Sequence, residues 1–187
     1  MSRGFMALAA LVVFGCVAIA VPAAEAQIVF ETPGLITSAG QSSDVAIVKV
    51  MLNTQLKLGL EYKPLAQPAD LAGMKTLIVS VGASTKGLGA AGLDMDKEIA
   101  RMTAVIKAAK AGGVRILVMH TGGEARRGKT SNDLIQIVAP QADYVVVVAA
   151  GNKDRLFNTI AAGQNVPVME VAKIADAGSA VKAVFKQ

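Results

Sequence analysis

The chain has 187 residues, 53% of them apolar and only 4% aromatic, with no tryptophan and a formal charge of +5. The basic residues do not form a stripe interleaved with aromatics, which argues against nucleic acid as a partner, and so modest a charge favours anionic partners only mildly. One cysteine and one histidine rule out a disulfide framework and leave too few ligands for a transition-metal cage.

The N-terminus reads as an export signal. Arg3 precedes an almost uninterrupted apolar run from Phe5 to Val21, and Ala24, Glu25 and Ala26 form an A-x-A cleavage site. Cleavage after Ala26 is expected rather than a retained anchor, because the run sits at the lower limit for spanning a bilayer. Cys16 leaves with that segment. Its surroundings do not suit lipidation, since Phe14 is bulky where a small residue is needed and the apolar run continues beyond it. About 160 residues then remain, enough for one domain that buries about 70% of its unfolded surface without help from disulfides. That part is expected in the periplasm or outside the cell, with no membrane association.

Residues 27–34 read as an extended lead-in punctuated by Pro33 and Gly34. Apolar, β-branched runs then predict strands at 35–37, 76–81, 115–120, 144–149 and 168–171, with a weaker one at 61–65. Helical spacing fills the intervals. Val45, Val48, Leu52 and Leu56 form a stripe over 44–57, with Ser43 or Asp44 placed to cap it. Met95, Ile99, Met102, Ile106 and Ala109 recur at four, three, four and three, and further helices fit 132–138, 153–162 and 177–186.

A strand apolar at successive positions, such as Tyr144 to Val148, needs cover on both faces, which helices on both sides of a parallel sheet supply. The alternation predicts a single α/β domain over 35–187: a doubly wound, flavodoxin-like or Rossmann-like, mostly parallel sheet of five to six strands. Right-handed crossovers put every strand-to-helix connection at one edge, and ligands bind there, near the point where strand order reverses.

Those connections hold the candidate ligand-binding residues. The first offers Ser38, Gly40, Gln41 and Ser42 at a helix N-terminus, where backbone N–H groups can meet an anion; plain turn and capping chemistry explains the same residues. The second, from Gly82 to Gly92, carries Ser84, Thr85 and Lys86 and reads as a mobile, anion-tolerant loop with Lys86 at its tip. The third holds His120, Gly122, Gly123, Glu124, Arg126 and Arg127. Its arginines offer planar forks suited to carboxylate or phosphate. Adjacent side chains cannot both face one way, so one is expected at the site while the other pairs with an acid or meets solvent. The bland alternative is a solvated basic loop neutralised by Glu124. His120 is a candidate donor or general base, although a lone histidine is more often a hydrogen-bonded structural residue. In the fourth connection Asn152 reads as a helix cap or a polar contact at the rim.

Several chemistries are disfavoured. Gly87, Gly89 and Gly92 spell G-x-G-x-x-G, but too far from the strand, with Asp94 and Asp96 set to repel a pyrophosphate and no acid about 20 positions on to hold a ribose. The P-loop ending is missing as well, and no cofactor is expected. Ser84 lies in Gly-Ala-Ser-Thr-Lys, not a G-x-S-x-G elbow, and no helix is expected directly after it. Asp94, Asp96 and Glu98 resemble a hard-ion ligand set but fan to different helix faces, where the helix N-terminus accounts for them, so no metal is expected.

The segments Ile36-Thr37-Ser38-Ala39-Gly40-Gln41-Ser42, Gly122-Gly123-Glu124-Ala125-Arg126-Arg127-Gly128 and Gly151-Asn152-Lys153-Asp154 carry a resemblance. Over about residues 35 to 175, the span of one domain, the chain resembles an uncharacterised family of exported bacterial single-domain proteins, a domain of unknown function. That resemblance implies an exported α/β fold and brings no catalytic residues.

The residues themselves favour an exported binding module for a small carboxylate- or phosphate-bearing ligand, because donors and glycines are plentiful and nucleophiles few. One alternative is a hydrolase or isomerase with His120 as acid or base, Glu124 as its partner and an arginine holding substrate. Another is a protein-interaction domain without a small-molecule site. Oligomeric state is left open by the sequence.

Overall fold

A computed structural model describes residues 28–186; the expected signal segment, with Cys16 and the cleavage site, lies outside the described residues. Six strands form one sheet: β1 (Gly34–Ala39), β2 (Glu61–Tyr62), β3 (Thr76–Val81), β4 (Arg115–His120), β5 (Tyr144–Val148) and β6 (Val168–Val171). All pairings are parallel and the order is β2-β1-β3-β4-β5-β6. The chain builds β2 on one side of β1 and everything else on the other, so strand order reverses between β1 and β3. This is the doubly wound α/β sheet expected from the alternation of apolar runs.

The helices are α1 (Asp44–Lys49), which runs on into a π-helical turn (Val50–Gln55), then α2 (Thr85–Ala90), α3 (Met95–Ala111), α4 (Lys129–Val138), α5 (Leu156–Ala162) and α6 (Ile174–Val184). Because successive strand side chains point to opposite faces, each central strand feeds two cores. Leu77, Val79, Ile116, Val118, Val145 and Val147 face α3, α4 and α5, meeting Met102, Leu134 and Phe157. Ile36, Ile78, Leu117, Met119 and Val146 face α1 and α6, meeting Val45, Val48 and Val181.

Three differences from the sequence pattern have local causes. The helix expected over 44–57 changes winding at Val50, where the Asn53 side chain turns to donate to the Leu60 carbonyl at 2.7 Å and accept the Leu60 N–H at 2.8 Å. The glycine-rich segment expected to be a mobile loop holds helix α2 over Thr85–Ala90. Ser84 caps it by accepting the Gly87 N–H at 3.1 Å, so a helix does follow Ser84 directly. Glu98, accounted for in the sequence by the helix N-terminus, is instead fully buried and paired with Arg101.

Candidate functional site

The connections after β1, β3, β4 and β5 meet at the carboxyl edge of the sheet. The Gly82 and Ser84 N–H groups donate to the Ala39 and Gly40 carbonyls at 2.9 and 2.8 Å, and the Ala83 N–H donates to Ser131 Oγ at 2.9 Å. Arg126 reaches Asp44 at 3.1 Å, and Arg127 donates to the Gly151 carbonyl. Ser84 and Arg126 thus stand at one rim, with Ser38 just beneath it.

Much of the first connection turns inward. The Gly40 N–H and Gln41 Nε2 donate to Glu98 Oε1 at 2.7 and 3.2 Å. Arg101 holds that carboxylate through two bonds of 2.8 Å and also donates to the Ser38 and Ala66 carbonyls. Ser38 points to the same face as Ile36, and its buried hydroxyl has no hydrogen-bond partner among the described residues. Ser42 is buried and donates to Asp44 Oδ2 at 2.9 Å. Asp44 therefore places a resident carboxylate at the start of α1, where an external anion was expected.

Glycines allow this crowding. A Cβ on Gly122 would overlap Arg126 and the Asp44 carboxylate, and Gly82 packs under Ser42 and Arg126. Gly123 and Gly128 adopt left-handed backbone, with φ of 60° and 136°, bracketing the arginine turn. Of the two arginines, Arg127 is the more engaged. It bonds Asn132 at 2.9 Å and Asp154 at 2.7 and 3.0 Å, and lies over the Phe157 ring. Arg126 keeps about a third of its side chain exposed beside Asp44.

His120 is fully buried, with Nδ1 2.9 Å from the Val81 carbonyl, Nε2 3.2 Å from the Gly123 carbonyl, and its ring against Phe157. The expected partnership with Glu124 is not formed. Glu124 sits on the surface with Lys153, which holds its carboxyl below the usual carboxylate range. Asn152 is buried too: its amide donates to Asn158 and Glu170, and its oxygen accepts the Phe157 N–H at 3.2 Å, so it supports the start of α5 from inside.

Burial lowers the His120 pKa from the ordinary 6.5, against a smaller upward pull from the two carbonyls. Well above pH 6.5 the ring is neutral in both native and unfolded chains. Below it, the unfolded chain binds a proton that the native state resists, so stability is lost as pH falls through that window. The Cε1 proton of this single histidine is expected to titrate with a midpoint below 6.5 by NMR. His120→Gln should flatten the stability profile there, and a midpoint at or above 6.5 would contradict the burial argument.

What stays open at the rim lies between α2 and α4. A cleft of about 130 Å³ is lined by Thr85, Arg126, Gly128, Lys129 and Thr130, among others. Helix α4 starts at this cleft, and among the described residues no side chain caps its N-terminus, which leaves its first N–H groups without a side-chain acceptor. A neighbouring hollow of about 300 Å³ shares Arg127 and Gly128 and adds Glu124, Lys153 and Asp154. Lys86 is exposed beside Thr85. Of the residues picked from sequence, Thr85, Arg126 and Arg127 line this cleft. Asp44, Asp154, Lys129 and Thr130 were missed, because nothing in the linear pattern pairs residue 44 with residue 126 or starts α4 before its first apolar position.

A family model described as Domain of unknown function (DUF6305) matches residues 31–185. No curated protein matches the sequence. Among solved structures, two mutants of Axe2, an acetyl-xylooligosaccharide esterase from Geobacillus Stearmophilus, are similar at 12% identity with TM-scores of 0.30 and 0.29. Those alignments cover 86% and 84% of this chain and 84% of each esterase chain.

Proposed function

The chain belongs to the DUF6305 family, which brings no assigned activity, and we propose that it is an exported binding protein for a small ligand bearing a carboxylate or phosphate. The export part rests on the charged, apolar and cleavable order of residues 3–26. No helix of the described residues is long and apolar enough to cross a membrane.

The observation that carries the binding part is the uncapped start of α4 at the small cleft. Helix N-termini attract anions through free N–H groups and the helix dipole. The Thr85 and Thr130 hydroxyls and the exposed part of Arg126 add donors to the same opening. About 130 Å³ suits one anionic group, with the rest of the ligand lying over Gly128 toward the larger hollow. The enzyme alternative has less support, because both nitrogens of His120 face backbone carbonyls inside the protein.

Titration with phosphate, sulfate, acetate and citrate, followed by amide NMR, tests the reading. The Lys129 and Thr130 amides are expected to shift saturably, more weakly at high salt. Arg126→Gln should weaken binding about tenfold, or ~1.4 kcal/mol, with Arg126→Lys in between because it keeps the charge without the fork. Amides of α4 that stay still across all four anions would refute it.

A further inference from the structure

On the opposite face of the sheet, α1 with its π-helical continuation and α6 flank an open apolar groove of about 490 Å³. Its walls are Ile47, Val50, Met51 and Ile174 with two alanines, and Gln55 is the one polar lining residue. That volume lies within the range of small-molecule sites, about 300–1,000 Å³. Ile47, Val50 and Ile174 are 42%, 49% and 37% exposed, so large apolar side chains are held in water along one strip. Gly178 packs against Met51: a Cβ there would come within 3.2 Å of the Met51 side chain, which would have to give slightly.

The surroundings are cationic. Lys182 is exposed on α6, Lys173 directly precedes that helix and Lys57 follows the π-helical turn; among the described residues none of the three forms an ion pair, while Lys49 on α1 lies over the Tyr62 ring at 4.8 Å. Of the acids on the same helices, Asp44 is neutralised by Arg126, while Asp176 accepts the Lys173 N–H and keeps its charge, so lysine remains in excess. A second copy laid on this face would set lysine against lysine, and a wholly neutral occupant would leave the charge unused.

We propose that the groove holds the aliphatic tail of a single anionic amphiphile, its head toward Lys173 at the start of α6. This site is separate from the anion cleft and rests on different residues.

Sodium decanoate below its micelle concentration is a suitable probe, read by methyl NMR on the chain cleaved after Ala26. Saturable shifts at Ile47, Val50, Met51 and Ile174 are expected, with at least tenfold weaker binding of decyltrimethylammonium. Val50→Asp, at a half-exposed position, should lose at least tenfold in affinity with Tm unchanged; Ile174→Asp serves if that variant folds poorly. Arg126→Gln should leave decanoate binding intact, which keeps the two sites distinguishable. The proposal is overturned if the methyls do not move, or if the cationic amphiphile binds equally well. It is also overturned if only phosphatidylglycerol vesicles produce a response, or if the methyls shift with protein concentration alone as a dimer forms.

Discussion

Arg101→Met is expected to destabilise the protein by about 3–5 kcal/mol, because it strands the Glu98 carboxylate without its countercharge in the interior. Glu98 is 0% exposed and Arg101 is 5% exposed at the side chain, so solvent cannot replace the lost partner. The guanidinium also bonds the Ser38 and Ala66 carbonyls, which join the end of β1 to the segment after β2. For a domain of this size the loss corresponds to a fall in Tm of about 6–20 °C. Pairing the change with Glu98→Leu should recover part of the loss, since removing both charges costs less than removing one. Recovery stays incomplete because Glu98 is also the acceptor for the Gly40 N–H, which would be left buried and unpaired. Urea unfolding of the single and double variants decides the matter; a single variant within 1 kcal/mol of the parent would show that water reaches the pair.

That pair also marks what sequence could and could not reveal. Strands are legible because unbroken apolar runs such as Val145 to Val148 have few other fates in a chain this size, and the parallel order follows from the helices between them. Glu98 and Arg101, three apart on a helix, look like a solvated surface pair; their burial depends on β1 and the segment after β2 closing over them. The rim was legible as a place, since all four connections do lie at the carboxyl edge. Side-chain direction was the weaker part, though period two would have helped: Ser38 shares a face with Ile36, and His120 with Val118, so both enter a core. Contacts such as Arg126 with Asp44 and Arg127 with Asp154 join residues 82 and 27 apart, and no local pattern encodes them.

Helix α2 supplies the second large effect, through two glycines expected to respond with opposite sign. In a helix interior, Gly→Ala ordinarily stabilises by about 0.5–1 kcal/mol, because alanine loses less backbone freedom on folding. Gly89 has nothing within 4 Å of an added Cβ, so Gly89→Ala should show that gain. At Gly87 the Cβ would overlap the Gln41 carbonyl oxygen, a backbone atom in a residue already at φ 54° and tied to Glu98 and Pro64. Neither side can yield cheaply, and Gly87→Ala is expected to cost about 1–3 kcal/mol, as overpacking does. Relief by swinging α2 outward would carry Thr85 away from the cleft wall. Phosphate binding should then weaken in Gly87→Ala and remain unchanged in Gly89→Ala. Parallel urea unfolding and phosphate titrations of both variants test this; two stabilised proteins with equal phosphate affinity would mean that the contact between α2 and the β1 connection is loose, and that the cleft does not depend on it.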